Sequence, residues 1–439
     1  MADSTQDAPV PYGGRSLTPP LADRPHTDVR VLLRVNNLLQ ILTNCAWYVG
    51  TPFIPLYLVS HGASVGAVGV VAGLSGIVPL AVALHVGGLV DEHGPTIVFV
   101  GSVVLFGLGG AMLTVYQGIP QVITAYTLLA IANIGLAVAS QAVVARASTD
   151  GTRIRNYGYY ALSYSAGAVV GPVIGGLLAA RLGYGTAFLA MTLLMLPSLA
   201  VAFMLRVIPA SRHQTVAVSA VHTHVGTILR ARGVGTILFV SGIMMCPQAL
   251  QSTFYPLYLS KVGLSATLIG LAIAAISLAS MVVRMLLASA VARLGQAGAL
   301  VGAMVLSAVA FAITPLVRQF WPLVGVSALM GASLGFTQPL SMSLLAESVA
   351  QQFWGAAFGI RQSVQRAVAI ISPLAFGMAS TARGVESAFY LGALVLFGAA
   401  GIAVRASGGV GRQPDEMVGE EGLSTSSVAV PGHSGTARR

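Results

Sequence analysis

The chain alternates long apolar blocks with short polar breaks. About twenty apolar residues suffice to cross a ~30 Å hydrocarbon layer as a helix. Twelve blocks reach that length: 31–59, 64–90, 97–117, 119–145, 157–180, 185–207, 234–260, 265–291, 298–317, 321–346, 355–381 and 384–404. The seventh is the most polar of them. The pattern predicts an all-α integral membrane protein with twelve transmembrane helices.

Composition sharpens this. Of 439 residues, 55% are hydrophobic and 8% charged, with a mean hydropathy of +0.82. A soluble domain carries about 25% charged residues. The net charge of +10 raises the question of a nucleic-acid partner, but its distribution answers it. Arg15, Arg24, Arg30, Arg34, Arg146, Arg153, Arg155, Arg206, Arg212, Arg230, Arg232, Arg293, Arg361, Arg405, Arg412, Arg438 and Arg439 fall on one side of the membrane. Arg181, Lys261, Arg318 and Arg383 fall on the other, and Arg284 and Arg366 lie within spans. Basic residues gather in cytoplasmic loops, so both termini and the central loop are expected in the cytoplasm. The charge reports topology and excludes a nucleic-acid function.

Residues 1–29 are polar and Pro-rich, without the short apolar core of a cleavable signal. They and the tail 406–439 read as disordered. Cys45 and Cys246 lie within the first and seventh blocks. Two such thiols support neither a disulfide framework nor a metal site.

Shifted by 201 residues, the sequence matches itself. "FIPLYLVSHGASVGAVGV" (53–70) lies over "FYPLYLSKVGLSATLIGL" (254–271) with eight identities in 18 positions. The same shift sets Cys45 on Cys246, Gly94 on Gly295, Gly158 on Gly359, Pro172 on Pro373 and Gly176 on Gly377. One register over five helices implies two six-helix halves, 30–207 and 234–405, joined by a cytoplasmic loop 208–233. Parallel six-helix repeats, each containing inverted triplets, are a known transporter organisation with its substrate site between the halves near the midplane.

Between the second and third blocks runs "GGLVDEHGPT" (87–96). A carboxylate at an apolar helix end beside a Gly-assisted turn can accept charge-assisted bonds from a neighbouring helix N-terminus. It can also be a plain charged connection. The segment resembles the loop signature of the major facilitator superfamily, roughly G-x-L-A-D-R-x-G-R-K, through Gly87, Leu89, Asp91 and Gly94. Glu92, Pro95 and Thr96 replace its basic positions, and the second copy, "ASAVARLGQA" (288–297), has Ala292 in place of the Asp. The resemblance implies a gate at Gly87, Asp91 and Gly94, in the first half alone. It also implies the superfamily's fold, two six-helix bundles related by a pseudo-twofold axis.

The stretch "GYYALSYSAGAVVGPVIGG" (158–176) carries a second resemblance. Gly158, Gly167, Gly171, Pro172, Gly175 and Gly176 fit G-x8-G-x3-G-P-x2-G-G without a mismatch. This is similar to the antiporter motif in the fifth span of drug- and metabolite-exporting members. Physically, Gly167, Gly171 and Gly175 make a smooth stripe that lets another helix approach closely, and Pro172 removes a helix hydrogen bond. The stripe is a packing device on its own chemistry, and export is what the resemblance implies.

Polar positions inside spans are costly unless they face protein or water. They nominate a substrate cavity from Asn37, Gln40, Asn44 and Tyr48 on one face of the first span, Asn133 and Gln141 in the fourth, Gln248, Gln251 and Tyr255 in the seventh, and Arg366 in the eleventh. Neutral amides also join helices at ~0.6 kcal/mol each. Arg366 can attract an anion or pair with Glu347, although Arg-x4-Arg segments of this kind resemble structural segments of other exporters. Ile131 stands where many drug antiporters carry an Arg, and the first and fourth spans hold no acid. The candidates for proton coupling reduce to His85 and Glu347, with Asp91 and Glu92 at the gate.

The expectation is a multi-pass transporter of a bacterial inner or plasma membrane that exports a small organic molecule, a drug or metabolite, by proton-coupled antiport. The first alternative is an uptake symporter or facilitator for a small organic anion, suggested by Arg284 and Arg366. A non-transporting receptor or scaffold is the second. No Ser/His/Asp set, metal cluster or phosphate loop points to an enzyme. Expected partners are the solute, a proton gradient and membrane lipid, for a monomer without cofactor, metal or nucleic acid.

Overall fold

The computed structural model describes residues 29–149, 152–205, 234–348 and 354–410. The loop 208–233, residues 1–28 and the tail from 411 lie outside them, as do the side chains of Asp91 and Glu347. Among the described residues the fold is all-helical, as a chain in lipid requires when no water satisfies its backbone.

The first half contains six spans. α1 is Val29–Gly50, extended by a 3-10 turn Thr51–Phe53 and by Ile54–Ser60. α2 is Val65–Leu74 followed by Ile77–His93; α3 is Pro95–Leu113; α4 is Ile119–Ala147. α5 is Arg153–Leu182, and α6 is Tyr184–Leu193 with Met195–Met204.

In the second half, α7 runs from Val234–Ile243 through Cys246–Ala249 and a π-helical turn Leu250–Phe254 to Tyr255–Lys261. α8 is Ala266–Met285 and the start of Leu287–Ile313, a stretch broken at Gly295 (φ 69°, ψ 169°); its remainder is α9. α10 is Phe320–Ser348, α11 Trp354–Arg383 and α12 Glu386–Val410.

Ten of these stretches are long and apolar enough to cross a membrane. α7, expected as the most polar, is among them. α1 and α11 are not, and they carry Asn36, Asn37, Gln40 and Asn44, and Arg361, Gln362, Gln365 and Arg366. Arg361, assigned from sequence to a basic loop, instead lies inside α11 with 3% of its surface exposed. By sequence its charge counts with the basic loops, yet the helix carries it inward because Arg361 and Gln365 find partners on Ser341 and Ser241 within the bundle.

The repeat is legible in the backbone. Left-handed glycines close corresponding helices at Gly62 and Gly263, Gly94 and Gly295, and Gly183 and Gly384. Each pair is 201 apart, and a side chain at φ near +85° would be strained. Ser64 and Ser265, also 201 apart, cap α2 and α8 by accepting from the backbone N–H of Ala67 and Leu268.

The two halves meet along a seam that obeys the same symmetry. A Cβ on Gly69 of α2 would lie 2.8 Å from the Gly377 Cα of α11 and 2.5 Å from the Pro373 carbonyl oxygen. A Cβ on Gly270 of α8 would collide with the Pro172 carbonyl of α5 and lie 3.3 Å from the Gly176 Cα. Only residues without side chains let these backbones touch, and in lipid such contact is the main source of helix association.

Candidate substrate-translocation site

The start of α1 and the end of α12 lie on one side of the bundle, here the terminal side; the extended α1 and α7 end on the far side. The glycine approaches between halves run from Gly66 against Thr381, on the far side, to Gly76 against Ile370, near the middle. Nearer the terminal side a longer reach joins the halves. Nη1 of Arg284, on α8, lies 3.5 Å from Oγ of Ser165 on α5. Arg284 is nonetheless exposed. A side chain that reaches Ser165 and approaches Tyr48 in the opposite half, yet is not covered by protein, marks a gap between the halves at this level.

The first half lines this cleft with neutral polar groups. The Tyr48 and Tyr164 hydroxyls are 3.3 Å apart, and the Arg284 guanidinium is within electrostatic reach of Tyr48. Gln40, Thr43, Asn44, Asn133, Tyr160 and Tyr164 surround one narrow niche. Asn44 donates to the Gln40 carbonyl at 2.9 Å, and the Tyr160 hydroxyl lies against the Gln40 and Gln141 side chains. One turn below, Ser140 of α4 donates to Oδ1 of the fully buried Asn36 at 3.0 Å.

Five of the residues nominated from sequence therefore converge: Gln40, Asn44, Tyr48, Asn133 and, through Tyr160, Gln141. Asn37 sits half-buried beside them, its Oδ1 without a hydrogen bond. The seventh span behaves differently. Tyr255 is fully buried, with its hydroxyl 2.6 Å from Oγ of Ser327 and donating to the Leu323 carbonyl at 3.2 Å. It packs α7 onto α10 and is no cavity residue. The cause is the π turn at Leu250–Phe254, which inserts a residue and rotates the far-side end of α7 off the face shared by Gln248 and Gln251. Gln248 is exposed, whereas Gln251 is buried within that turn with Nε2 unpartnered.

Arg366 is exposed on α11 and has no hydrogen bond or ion pair among the described residues. One turn away the buried Arg361 donates to Oγ of Ser341 at 2.9 Å, and Gln365 donates to Oγ of Ser241 at 3.0 Å. These fasten α11 to α10 and α7. Sequence reasoning named Arg284 only in support of the anion-uptake alternative and passed over Ser165, Tyr160 and Tyr164 as site residues. The 201-residue register offered a signal for Ser165 and Tyr160, since Arg366 repeats the position of the first and Arg361 that of the second.

The antiporter-type helix divides its labour between two neighbours. Cβ atoms on Gly167 and Gly171 would fall 2.7 Å from the Ile41 carbonyl and 2.6 Å from the Cys45 carbonyl, and one on Gly175 would collide with that of Val49, all on α1. Pro172 and Gly176 face α8 across the seam, where Thr267 also donates to the Gly176 carbonyl at 3.4 Å. Gly158, at the exposed terminal end of the motif, has open space around it.

At the loop between α2 and α3, Gly94 ends α2 with φ +84° and begins α3. Arg146 of α4 donates to the Val90 carbonyl at 3.4 Å, and Thr96 donates to the Leu205 carbonyl at 2.8 Å. The loop is thus tied to α4 and α6 of its own half. His85 is exposed, its Nδ1 3.0 Å from the Ala81 carbonyl within its own helix.

A second cavity of about 430 Å³ lies between the far-side ends of the halves, lined by Leu56, Val59, Tyr184, Leu257, Lys261 and Ser380 among others. Beside it Nζ of Lys261 donates to both Glu386 oxygens, at 2.6 and 2.8 Å, and joins the end of α7 to the start of α12.

A family model described as the Major Facilitator Superfamily matches residues 37–258 and 237–422. No curated protein sequence matches the chain. Solved structures match its fold. A point mutant of the nucleoside transporter NupG superposes with a TM-score of 0.77 at 12% identity, over 85% of this chain and 99% of that one. A POT family transporter in complex with 5-aminolevulinic acid gives 0.73 at 12% identity, over 87% and 96%. A peptide transporter POT in complex with sulfate gives 0.68 at 15%, over 87% and 95%.

Proposed function

The chain belongs to the major facilitator superfamily, and from that premise we propose that it exports a small organic molecule across the cell membrane by alternating access. The observation that carries the reading is the double engagement of α5. Its glycine stripe is fixed to α1, while Pro172 and Gly176 of the same motif bear on α8 in the other half. A motif resembling that of exporters thus sits on a surface that must slide or pivot when the halves exchange access.

The basic loops on the terminal side support a cytoplasmic orientation for it. The solute enters the cleft from there and meets Gln40, Asn44, Tyr48, Asn133, Tyr160 and Tyr164. The halves then rock about the paired contacts Gly69–Gly377 and Gly270–Gly176, closing the terminal side and opening the cavity beside Lys261. Proton exchange drives the cycle, with His85, Asp91, Glu92 and Glu347 as the candidate titratable groups toward the terminal side. A second reading, uptake of an organic anion, draws support from Arg284 in the cleft.

Everted vesicles decide between them. Expression of the chain should raise uptake of labelled solutes into everted vesicles, and collapse of the pH gradient should abolish it. Depletion instead of uptake would establish the import reading, and flux indifferent to the gradient would remove proton exchange from the mechanism.

A further inference from the structure

The cleft has an unbalanced electrostatic character. Its first-half wall is neutral, built of amides and phenols, whereas the second half contributes cations. Arg284 has a single hydrogen bond, the 3.5 Å approach to Ser165, and no ion pair among the described residues. A guanidinium offers five donors, so most of its capacity is unused beside Ser165 and Tyr48. Arg366 occupies on α11 the position that Ser165 occupies on α5, related by the 201-residue register, and it too is exposed without a partner among the described residues. The two arginines therefore stand at the level where each half faces the other.

Among the described residues no carboxylate pairs with either arginine. α1, α3 to α9 and α11 contain neither Asp nor Glu; the acids of the remaining spans are Asp91 and Glu92 at the end of α2, Glu347 at the end of α10 and Glu386 at the start of α12. Unpaired charge at membrane depth is expensive and persists where function uses it. The planar fork of a guanidinium matches a carboxylate through two parallel bonds.

We infer that the transported solute is a small organic anion whose carboxylate is held by Arg284, with Arg366 adding positive potential from α11. Its body rests on Tyr48, Tyr164, Gln40 and Asn44 of the first half. This inference rests on the transporter reading above. It makes charge selection the task of the second half and recognition of the body the task of the first.

The test uses the purified full chain in liposomes, with protein-free liposomes as the baseline. The probes are hippurate, indole-3-acetate and 4-hydroxyphenylacetate, each with its carboxamide and its ammonium counterpart. At least one carboxylate should cross saturably and at least tenfold faster than its two counterparts. Arg284→Gln should lower that flux by about tenfold or more, the scale expected for removing one partner of a desolvated charge pair, and should erase the preference for charge. Arg284→Lys should retain the preference, which separates loss of charge from loss of fold, and Arg366→Gln should weaken it less. Preference for the carboxamide or the ammonium form would overturn the inference while leaving the transporter reading intact. So would an anion preference that survives Arg284→Gln, as expected if that guanidinium serves a lipid headgroup. If none of the probes crosses under any gradient, the transporter reading falls and the inference with it.

Discussion

α5 and α11 hold equivalent places in the two halves and meet the opposite half in the same way, through Pro172 and Gly176 or Pro373 and Gly377. Toward their own halves they differ. α5 lays Gly167, Gly171 and Gly175 directly on the α1 backbone, whereas α11 has Val368, Ser372 and Phe376 at those positions and meets α7 through side chains. The ring of Phe376 reaches Phe254, centroids 6.0 Å apart, at the end of the π turn. Close glycine packing in the second half appears elsewhere, where Gly331 and Gly335 of α10 bear on the Ile276 and Ser280 carbonyls of α8. The lesson is that duplication has kept the surface on which the halves meet and has varied the packing inside each half.

The largest effect that breaks this comparison comes from Gly175→Leu. A side chain there meets a backbone carbonyl that has nowhere to go, so we expect a loss of about 3 kcal/mol, the upper end for overpacking, and no monodisperse protein by size-exclusion chromatography. Phe376→Leu, at the equivalent position of α11, should cost less than about 1.5 kcal/mol as a near volume-conserving change. Equal damage from the two would mean that the halves are packed alike after all.

Next come Gly69→Ala and Gly270→Ala, which place one methyl on each side of the seam. Both should cut flux to about a tenth or less, the two sites matching within about threefold, because the added Cβ meets the same elements in each half. A defect at only one site, measured with melting temperature as a control, would show that the seam is used asymmetrically.

Tyr255→Phe removes a buried hydroxyl from Ser327 and the Leu323 carbonyl and should lower stability by about 1–2 kcal/mol. Solute selectivity should stay as it was, since the ring packs α7 on α10. A changed selectivity profile would return Tyr255 to the cavity. The smallest effects belong to Lys261→Ala, below ~1 kcal/mol for a partly exposed pair, and to Gly158→Ala. The first half does without the ion pair, having Ser60 and Gly185 at the equivalent positions. Gly158 belongs to the motif yet has room for a methyl, and alanine favours the helix by about 0.5–1 kcal/mol. A melting shift of several degrees in either variant would show a contact beyond those described.

Much of the fold was legible in the sequence, because lipid allows few solutions. Apolar length gave the spans, and a 201-residue register running through Gly62, Ser64, Gly94 and Pro172 gave the duplication, since turns and caps tolerate few residue types. The site was legible only in part. Spacing of three and four placed Gln40, Asn44 and Tyr48 on one face correctly because α1 is regular there. The same arithmetic failed for Tyr255, because the π turn in α7 changes the helical count and nothing in "LQSTF" announces it. Arg361 counted as a loop charge and Arg284 as a charge within the eighth span with no assigned neighbour, since polarity along a helix does not say whether a partner or a gap awaits it.

The sequence by itself determined a duplicated membrane bundle, its helix ends and the small residues that let helices touch, all consequences of local geometry and of the cost of polar groups in lipid. Only the tertiary structure decided which neighbour each glycine touches, that α5 serves two of them, and that Arg284 crosses to Ser165. Those facts depend on distances between residues more than a hundred positions apart, which no local rule of spacing or hydropathy encodes.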